Sequence, residues 1–534
     1  MIGIKSSVFK QQRFLARWAQ ILPALLMAIL PASVFAQSPF AYGQAGSVDP
    51  NVIQSTSTKI ETTAAATQSV TTAPPIPSNI QELLGAGCSG ENSIVFRSVT
   101  AMSTSIIGHP NASLNRTGRY GSFNHELFSF KSSVSDAPFY DMIGISGDYF
   151  SPRKILPLFT GSGPDFGAAG IGTLSGTPAP GGGKFTAFRM VDSSAISGNF
   201  LFLAQRGFNG VKKTGLYVFL AQYNSISKLL EIGDTFGQQS IVSIGAGTLT
   251  DEVVPRIAFF AATTFRTNGF PIPRLFAFDG TQTKLILSPG DTLPDNSKLE
   301  ALSANSEQYN NSIWVHDAPP QIDNSGKIYY AAATDSAIGG GFFMHDLAAP
   351  TNSALLVPQG LITTDGYKLN LSFDRPTVEK RTGLLFFSSF HVTNNQPKVS
   401  YFVRFPNGSV LRAFGSGDLF TVLDTNGSPT TKEVKGLVSS GISGFASIDE
   451  CANVIAMVGF GPTWNPDPAV LVYHHLNNRS VEPMLWEGMT LPGTVDTELQ
   501  GLSLAEIDVT ADGSAAVGGS DSSNFGAWYQ LSRE

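Results

Sequence analysis

Leu229-Leu230-Glu231-Ile232-Gly233-Asp234-Thr235 and Leu285-Ile286-Leu287-Ser288-Pro289-Gly290-Asp291-Thr292 are two copies of one phrase, in which an apolar run enters a glycine and an aspartate follows. Looser copies end at Gly176-Thr177-Pro178, Gly360, Gly417-Asp418 and Gly488-Met489-Thr490. Successive glycines stand 57, 57, 70, 57 and 71 residues apart. Self-similarity at such a period means that one packed unit is repeated along the chain.

A second phrase interleaves with the first: a polar turn, then a strand apolar on nearly every residue. It reads Ser197-Gly198-Asn199-Phe200-Leu201-Phe202, Asn324-Ser325-Gly326-Lys327-Ile328-Tyr329-Tyr330 and Thr382-Gly383-Leu384-Leu385-Phe386-Phe387. Weaker copies begin at Pro255, Cys451 and Asp512. From this turn to the next glycine phrase the span holds at 34 to 36 residues, whereas the return span runs from 22 to 36. A constant span joined to a variable one is what a packed unit with an insertable surface loop produces, and it puts the variable loops on one face.

Units of this length exceed one coil of a solenoid and suit a four-stranded antiparallel sheet with a loop insertion. Composition agrees, with 14% charged residues and abundant Gly, Phe and Pro, as short strands and tight turns require. The expected fold is all-β, a β-propeller of about seven blades, with six to eight possible. The last phrase, Gly526-Ala527-Trp528-Tyr529-Gln530-Leu531, lies close to the final residue and so is half a unit. The other half is expected from about Ile80 to Ser98, so that pairing of the N- and C-terminal strands closes the ring and removes two exposed edges.

The N-terminus reads as an export signal over residues 1–36: basic Lys5, Lys10, Arg13 and Arg17, an apolar Ile21 to Leu30, then Val34-Phe35-Ala36. That apolar run is too short to span a bilayer. Residues 37–79, rich in Ser, Thr, Ala and Pro, read as a flexible spacer, and 80–534 as the repeat domain. The protein is expected to be secreted or periplasmic, without membrane insertion once the signal is removed. Loss of the four basic residues takes the formal charge from −7 to about −11, which disfavours nucleic acid as a partner.

Gly176-Thr177-Pro178-Ala179-Pro180-Gly181-Gly182, Phe185-Thr186-Ala187-Phe188 and Gly198-Asn199-Phe200-Leu201-Phe202 together resemble the repeat of a family of secreted bacterial tandem-repeat proteins of uncharacterised function. Gly290-Asp291-Thr292-Leu293-Pro294 and Gly488-Met489-Thr490-Leu491-Pro492-Gly493 are similar. The resemblance covers roughly Ala137 to Leu531 and implies a bacterial, exported, propeller-like protein. It carries no catalytic residues with it, and Pro255 and Ala452 depart from the turn glycine.

Candidate chemistry is sparse. Asp234, Asp291 and Asp418 recur after glycine and could bind Ca²⁺ as a ring of carboxylates. The alternative is that each aspartate caps its own turn, and replacement by Thr177, Leu361 and Met489 elsewhere favours it. His316-Asp317 and His345-Asp346 place neighbours on opposite strand faces. The chain has no zinc-binding spacing and no nucleophile elbow. Cys88 and Cys451 could form one disulfide in an oxidising compartment or remain two thiols. Tyr309, Trp314 and His316 lie in a long variable loop, where an aromatic can stack on a sugar ring or pack into the loop's own small core. The expected function is a binding or scaffold module presenting a loop face to a glycan or protein, with a binder preferred to an enzyme. The alternative is an extracellular polysaccharide hydrolase or lyase acting at the central channel.

Overall fold

The computed structural model describes most of residues 178–437 and, outside that stretch, chiefly strands: 68–69, 96–103, 112–120, 123–130, 142–146, 171–173 and several between 446 and 533. The chain divides into two compact units, Met1–Tyr42 and Gly43–Glu534, and every described residue belongs to the second. The described elements are strands except for one 3-10 turn, Pro350–Asn352. The protein is all-β.

Among the described residues, seven sheets of four or more strands follow one another along the chain beside two two-stranded hairpins, all antiparallel but for one parallel pairing of Ile244 with Ile313. Sheet one joins Ala112–Tyr120, Phe123–Phe130, Met142–Ser146 and Ile171–Thr173 in chain order. Sheet two joins Lys184–Ser193, Phe200–Phe208, Val211–Leu220 and Ser225–Glu231. Sheet three joins Ser243–Leu249, Ile257–Phe265, Pro271–Phe278 and Thr283–Leu287.

In the remaining sheets the first strand comes in two pieces. Sheet four has Leu299–Leu302 and Gln321–Ile322, then Lys327–Thr334, Gly340–Asp346 and Ala354–Pro358. Sheet five has Leu369–Asn370 and Thr377–Val378, then Leu385–Thr393, Gln396–Arg404 and Val410–Gly415. Sheet six has Gly436–Leu437 and Ala446–Ile448, then Asn453–Gly459, Ala469–His475 and Ser480–Trp486. Sheet seven has Leu499–Gly501 and Asp508–Val509, then Ala515–Asp521 and Gly526–Arg533.

The fourth place in sheet seven is taken by Phe96–Ser103, paired antiparallel with Gly526–Arg533 in a register that sets Val99 opposite Leu531 and Thr100 opposite Gln530. This strand overlaps only the end of the 80–98 segment expected to pair there. From Phe96 and Ser98 the ladder runs on through Val99, Thr100, Ala101 and Ser103. Gln68–Ser69, within residues 37–79, pairs antiparallel with the outer strand of sheet six.

The first strands are neighbours in sequence order. Ala112–Tyr120 lies beside Lys184–Ser193, which lies beside Ser243–Leu249, and the succession runs on through Gln321–Ile322, Thr377–Val378 and Ala446–Ile448 to Asp508–Val509. Asp508–Val509 is in turn a neighbour of Ala112–Tyr120.

The core sits between facing sheets, and this explains strands that are apolar on nearly every residue. Successive strand side chains point to opposite faces, so a sheet buried on both sides needs apolar residues at odd and even positions alike. In sheet three, Ile257, Phe259 and Ala261 pack with Leu201, Leu203, Leu216 and Val218 of sheet two. Ala258, Phe260 and Ala262 pack with Ile328, Tyr330 and Phe343 of sheet four. Tyr329, Ala331 and Phe342 then meet Leu385, Phe387 and Phe402 of sheet five. Each fully buried Phe or Leu contributes about 1.5–3 kcal/mol, so the sheet-to-sheet faces dominate stability.

After the fourth strand of sheets two to five, the chain makes the same turn. Gly233, Gly290, Gly360 and Gly417 have φ of 95, 95, 82 and 93°, the left-handed region that glycine enters without steric cost. Each donates its N–H to the start of the following segment: to Ile241, Leu299, Leu369 and Val434. The glycine phrase is therefore the hinge from the outer strand of one sheet to the beginning of the next.

Candidate functional site

The turns between first and second strands bring the most ionisable chemistry together. Asp192 ends the first strand of sheet two and is fully buried. It accepts a hydrogen bond from the Leu249 N–H of sheet three at 2.8 Å. Lys380, in the corresponding turn of sheet five, places Nζ 3.4 Å from Asp192 Oδ2 and 4.0 Å from Asp251 Oδ1. Asp251 belongs to the turn of sheet three and accepts from Ser194 Oγ of sheet two at 2.8 Å and from Asn324 Nδ2 of sheet four at 3.0 Å.

Backbone groups complete the clasp. The Asp251 N–H donates to Asn324 Oδ1 at 2.9 Å, and the Asn324 N–H donates to the Lys380 carbonyl at 2.6 Å. Asn199 Nδ2 donates to the carbonyls of Glu252 and Val253. Arg256, paired with Glu252, donates to the carbonyls of Asn324 and Ser325. It lies so close over Gly326 that a Cβ there would stand 2.1 Å from Arg256 Nη1. Four sheets are thus joined at one point by groups that sequence separates by up to 188 residues.

The chemistry this arrangement favours is mechanical. Asp192 and Asp251 are held as acceptors for backbone, amide, hydroxyl and ammonium donors, the condition under which a buried carboxylate is stable. Solvent reaches the rim, where Val253 and Val254 are 44% and 40% exposed.

A second polar cluster lies inside sheet five. Arg412 Nε donates to Ser400 Oγ at 2.9 Å, and Ser400 Oγ shares a hydrogen bond of 2.7 Å with His391 Nε2 whose direction follows the ring tautomer. His391 Nδ1 shares a second hydrogen bond with Thr393 Oγ1 at 3.1 Å. Arg412 also donates to Asp418 Oδ1 and lies over the Tyr367 ring. Burial, with the charges of Arg412 and Lys398 added, lowers the His391 pKa to about 4. Ser400 is wholly buried and His391 nearly so, so this serine and histidine pair braces the sheet and is sealed from substrate.

Sheet two holds a third. Arg206 donates through Nε and Nη2 to Glu231 and through Nη1 to the carbonyls of Gly181 and Gly182, while the Tyr217 hydroxyl donates to Glu231 at 2.6 Å. Burial alone would raise the Glu231 carboxyl, but the bonds from Arg206 and Tyr217 bring it below its ordinary value.

The residues singled out from sequence fall as follows. Asp234, Asp291 and Asp418 occupy equivalent turns of three sheets, and each accepts from the backbone N–H three residues earlier: Glu231 at 2.8 Å, Ser288 at 2.7 Å and Gly415 at 2.8 Å. Each caps its own turn. Among the described residues no group of three His, Cys, Asp or Glu side chains could hold a metal ion.

Tyr309, Trp314 and His316 lie on a hairpin, Ser306–Tyr309 with Ile313–His316, inserted between the two pieces of the first strand of sheet four. Trp314 pairs with Gln308 and His316 with Ser306, whereas Tyr309 pairs with Ile313, one position out of step with the other two. His345 and Asp346 have separate partners, Ser353 Oγ for the imidazole and the Ala348 and Ala349 N–H groups for the carboxylate. Cys88 and Cys451 lie outside the described residues.

Sequence reasoning missed Asp192, Lys380, His391 and Arg412, for which no spacing pattern exists. The Glu379-Lys380-Arg381-Thr382-Gly383 turn reads as a solvated charge cluster.

No family model matches the chain, and no curated protein matches it by sequence. Among solved structures it is similar to TolB from Acinetobacter baumannii, at 10% identity and a TM-score of 0.29, over 64% of this chain and 59% of that one. It is similar to an oligogalacturonate lyase in complex with manganese, at 8% identity and a TM-score of 0.39, over 78% of this chain and 96% of that one. It is also similar to the β-propeller domain of the Trilobed protease from Pyrococcus furiosus, at 9% identity and a TM-score of 0.30, over 66% of this chain and 97% of that one.

Proposed function

We propose that the seven sheets are blades of a closed β-propeller, and that the protein is a secreted binding or scaffold module presenting a loop face to an extracellular glycan or protein. The cyclic succession of first strands and the pairing of Phe96–Ser103 with Gly526–Arg533 support the ring. In such a ring the turn clasp lies at one mouth of the central channel, where Lys380 reaches across from sheet five to sheet two.

One observation favours a binder over a polysaccharide hydrolase or lyase. The carboxylates that gather where an active site would sit hold neighbouring turns together, with Asp192 buried against Leu249 N–H and Lys380 and Asp251 bonded to Ser194 and Asn324. A general acid or nucleophile has to reach the substrate within hydrogen-bond distance, which groups committed in this way do not. The variable elements instead gather between the last strand of one sheet and the second strand of the next: the hairpins Thr235–Phe236 with Gln239–Ser240, Ser306–Tyr309 with Ile313–His316, and Leu419–Leu423 with Pro429–Glu433. Loops carried on a rigid scaffold are the usual seat of recognition.

Purified chain lacking residues 1–36, applied to a glycan array with and without calcium, tests this reading. Retention on a defined set of glycans, lost on deletion of residues 306–316 and unaccompanied by chain shortening, is the expected result. Depolymerisation of a bound polysaccharide would overturn it in favour of the enzyme.

A further inference from the structure

The fourth strand of sheet six, Ser480–Trp486, is an outer edge, yet it is not bare. Gln68 and Ser69 pair with it antiparallel, Gln68 opposite Val481 and Ser69 opposite Ser480. Among the described residues no other sheet carries a strand outside its fourth. Farther along the same N-terminal segment, Phe96–Ser103 fills the outer place of sheet seven.

Pro483 explains where the contact falls. Proline has no N–H to give, so an outer strand containing one offers an interrupted ladder, a common way for a sheet to blunt its edge. Ser480, Val481 and Glu482 precede that interruption and retain both backbone groups. An open ladder of this kind accepts any extended chain, and main-chain bonds supply the affinity. A segment of the same molecule has the advantage, because tethering gives it an effective concentration in the millimolar range.

We infer that Ser480–Glu482 is a strand-accepting edge whose resident occupant is the chain's own Gln68–Ser69. The N-terminal segment straps the outer edges of sheets six and seven, and it occludes a short stretch of sheet six on which another chain could add a strand. Any spacer is then limited to residues before Gln68 and positions the domain more closely than one reaching to residue 79 would.

Amide hydrogen exchange on the chain lacking residues 1–36 tests this. Amides within Ser480–Glu482 are expected to exchange at least about tenfold more slowly in the wild type than in the Gln68→Pro/Ser69→Pro double variant, with no dependence on protein concentration. Amides of Leu201–Ala204 in sheet two, equally protected in both, report that the fold is intact. Deletion of residues 37–67 keeps the protection and deletion of residues 37–69 abolishes it, which gives the same readout without introducing proline. Equal exchange in the wild type and the variants overturns the inference. Protection that rises with wild-type concentration also overturns it, since a second copy would then be supplying the strand.

Discussion

Lys380 Nζ stands 3.4 Å from Asp192 Oδ2, so a turn of sheet five and the end of a strand in sheet two hold one another across 188 residues of sequence. Lys380→Met leaves a fully buried carboxylate with a donor removed. The expected loss is about 1–3 kcal/mol, lessened by the partial exposure of the lysine, and is read from the urea midpoint. Asp192→Asn should cost less than Asp192→Ala, because an amide oxygen can still accept from the Leu249 N–H.

The aspartate after the turn glycine distinguishes a cap from a calcium ligand. Asp291→Ala removes the acceptor for the Ser288 N–H and should lower stability by about 0.5–1.5 kcal/mol, while Asp291→Asn should retain most of it. Thermal melts with calcium and with chelator should agree for all three proteins. A calcium-dependent rise in melting temperature present in the wild type and absent in Asp291→Asn would favour the metal reading instead.

Sheet two depends on a buried ion pair. Arg206→Met strands Glu231, which is 3% exposed, and is expected to cost about 3–5 kcal/mol in chemical denaturation. Tyr217→Phe removes one donor to the same carboxylate and should cost about 1 kcal/mol. A result in which the two variants are equal would mean that the arginine charge contributes little beyond its hydrogen bonds.

His391 makes the fold sensitive to acid. Its pKa falls from 6.5 to about 4 on folding, so between those values the unfolded chain holds a proton that the folded chain does not. This contribution to stability is complete above pH 6.5, declines as pH drops, and is exhausted below about pH 4. Melting temperatures measured from pH 7 to 4.5 should fall less steeply for His391→Gln than for the wild type.

The sheet architecture was legible because its cause is local. Spans of 34 to 36 residues correspond to second, third and fourth strands linked by short hairpins, as in Phe200–Phe208, Val211–Leu220 and Ser225–Glu231. The variable spans hold the first strand and its insertions. Unbroken apolarity in Ile257–Phe265 followed from a sheet covered on both faces. Ala452 looked like an exception to the glycine turn, yet its φ of 59° keeps the left-handed geometry that Gly326 and Gly383 have there. Pro255 departs further, and that turn is a wider one, closed by the Thr250 N–H on the Arg256 carbonyl.

The clasp and the His391 cluster were not legible, because their members come from different strands or different sheets with no fixed spacing. Asp192 reads as the polar end of a strand and Ser400 as an ordinary alternating position. Only the pairing of Leu385–Thr393 with Gln396–Arg404, and of that strand with Val410–Gly415, brings His391, Ser400 and Arg412 together.

The ladder between Phe96–Ser103 and Gly526–Arg533 has a consequence for biogenesis. Its halves are roughly four hundred residues apart, so a strand made early has no partner until the distant one has been made, and closing so long a loop is slow. Until then the chain stays easier to unravel than the closed molecule.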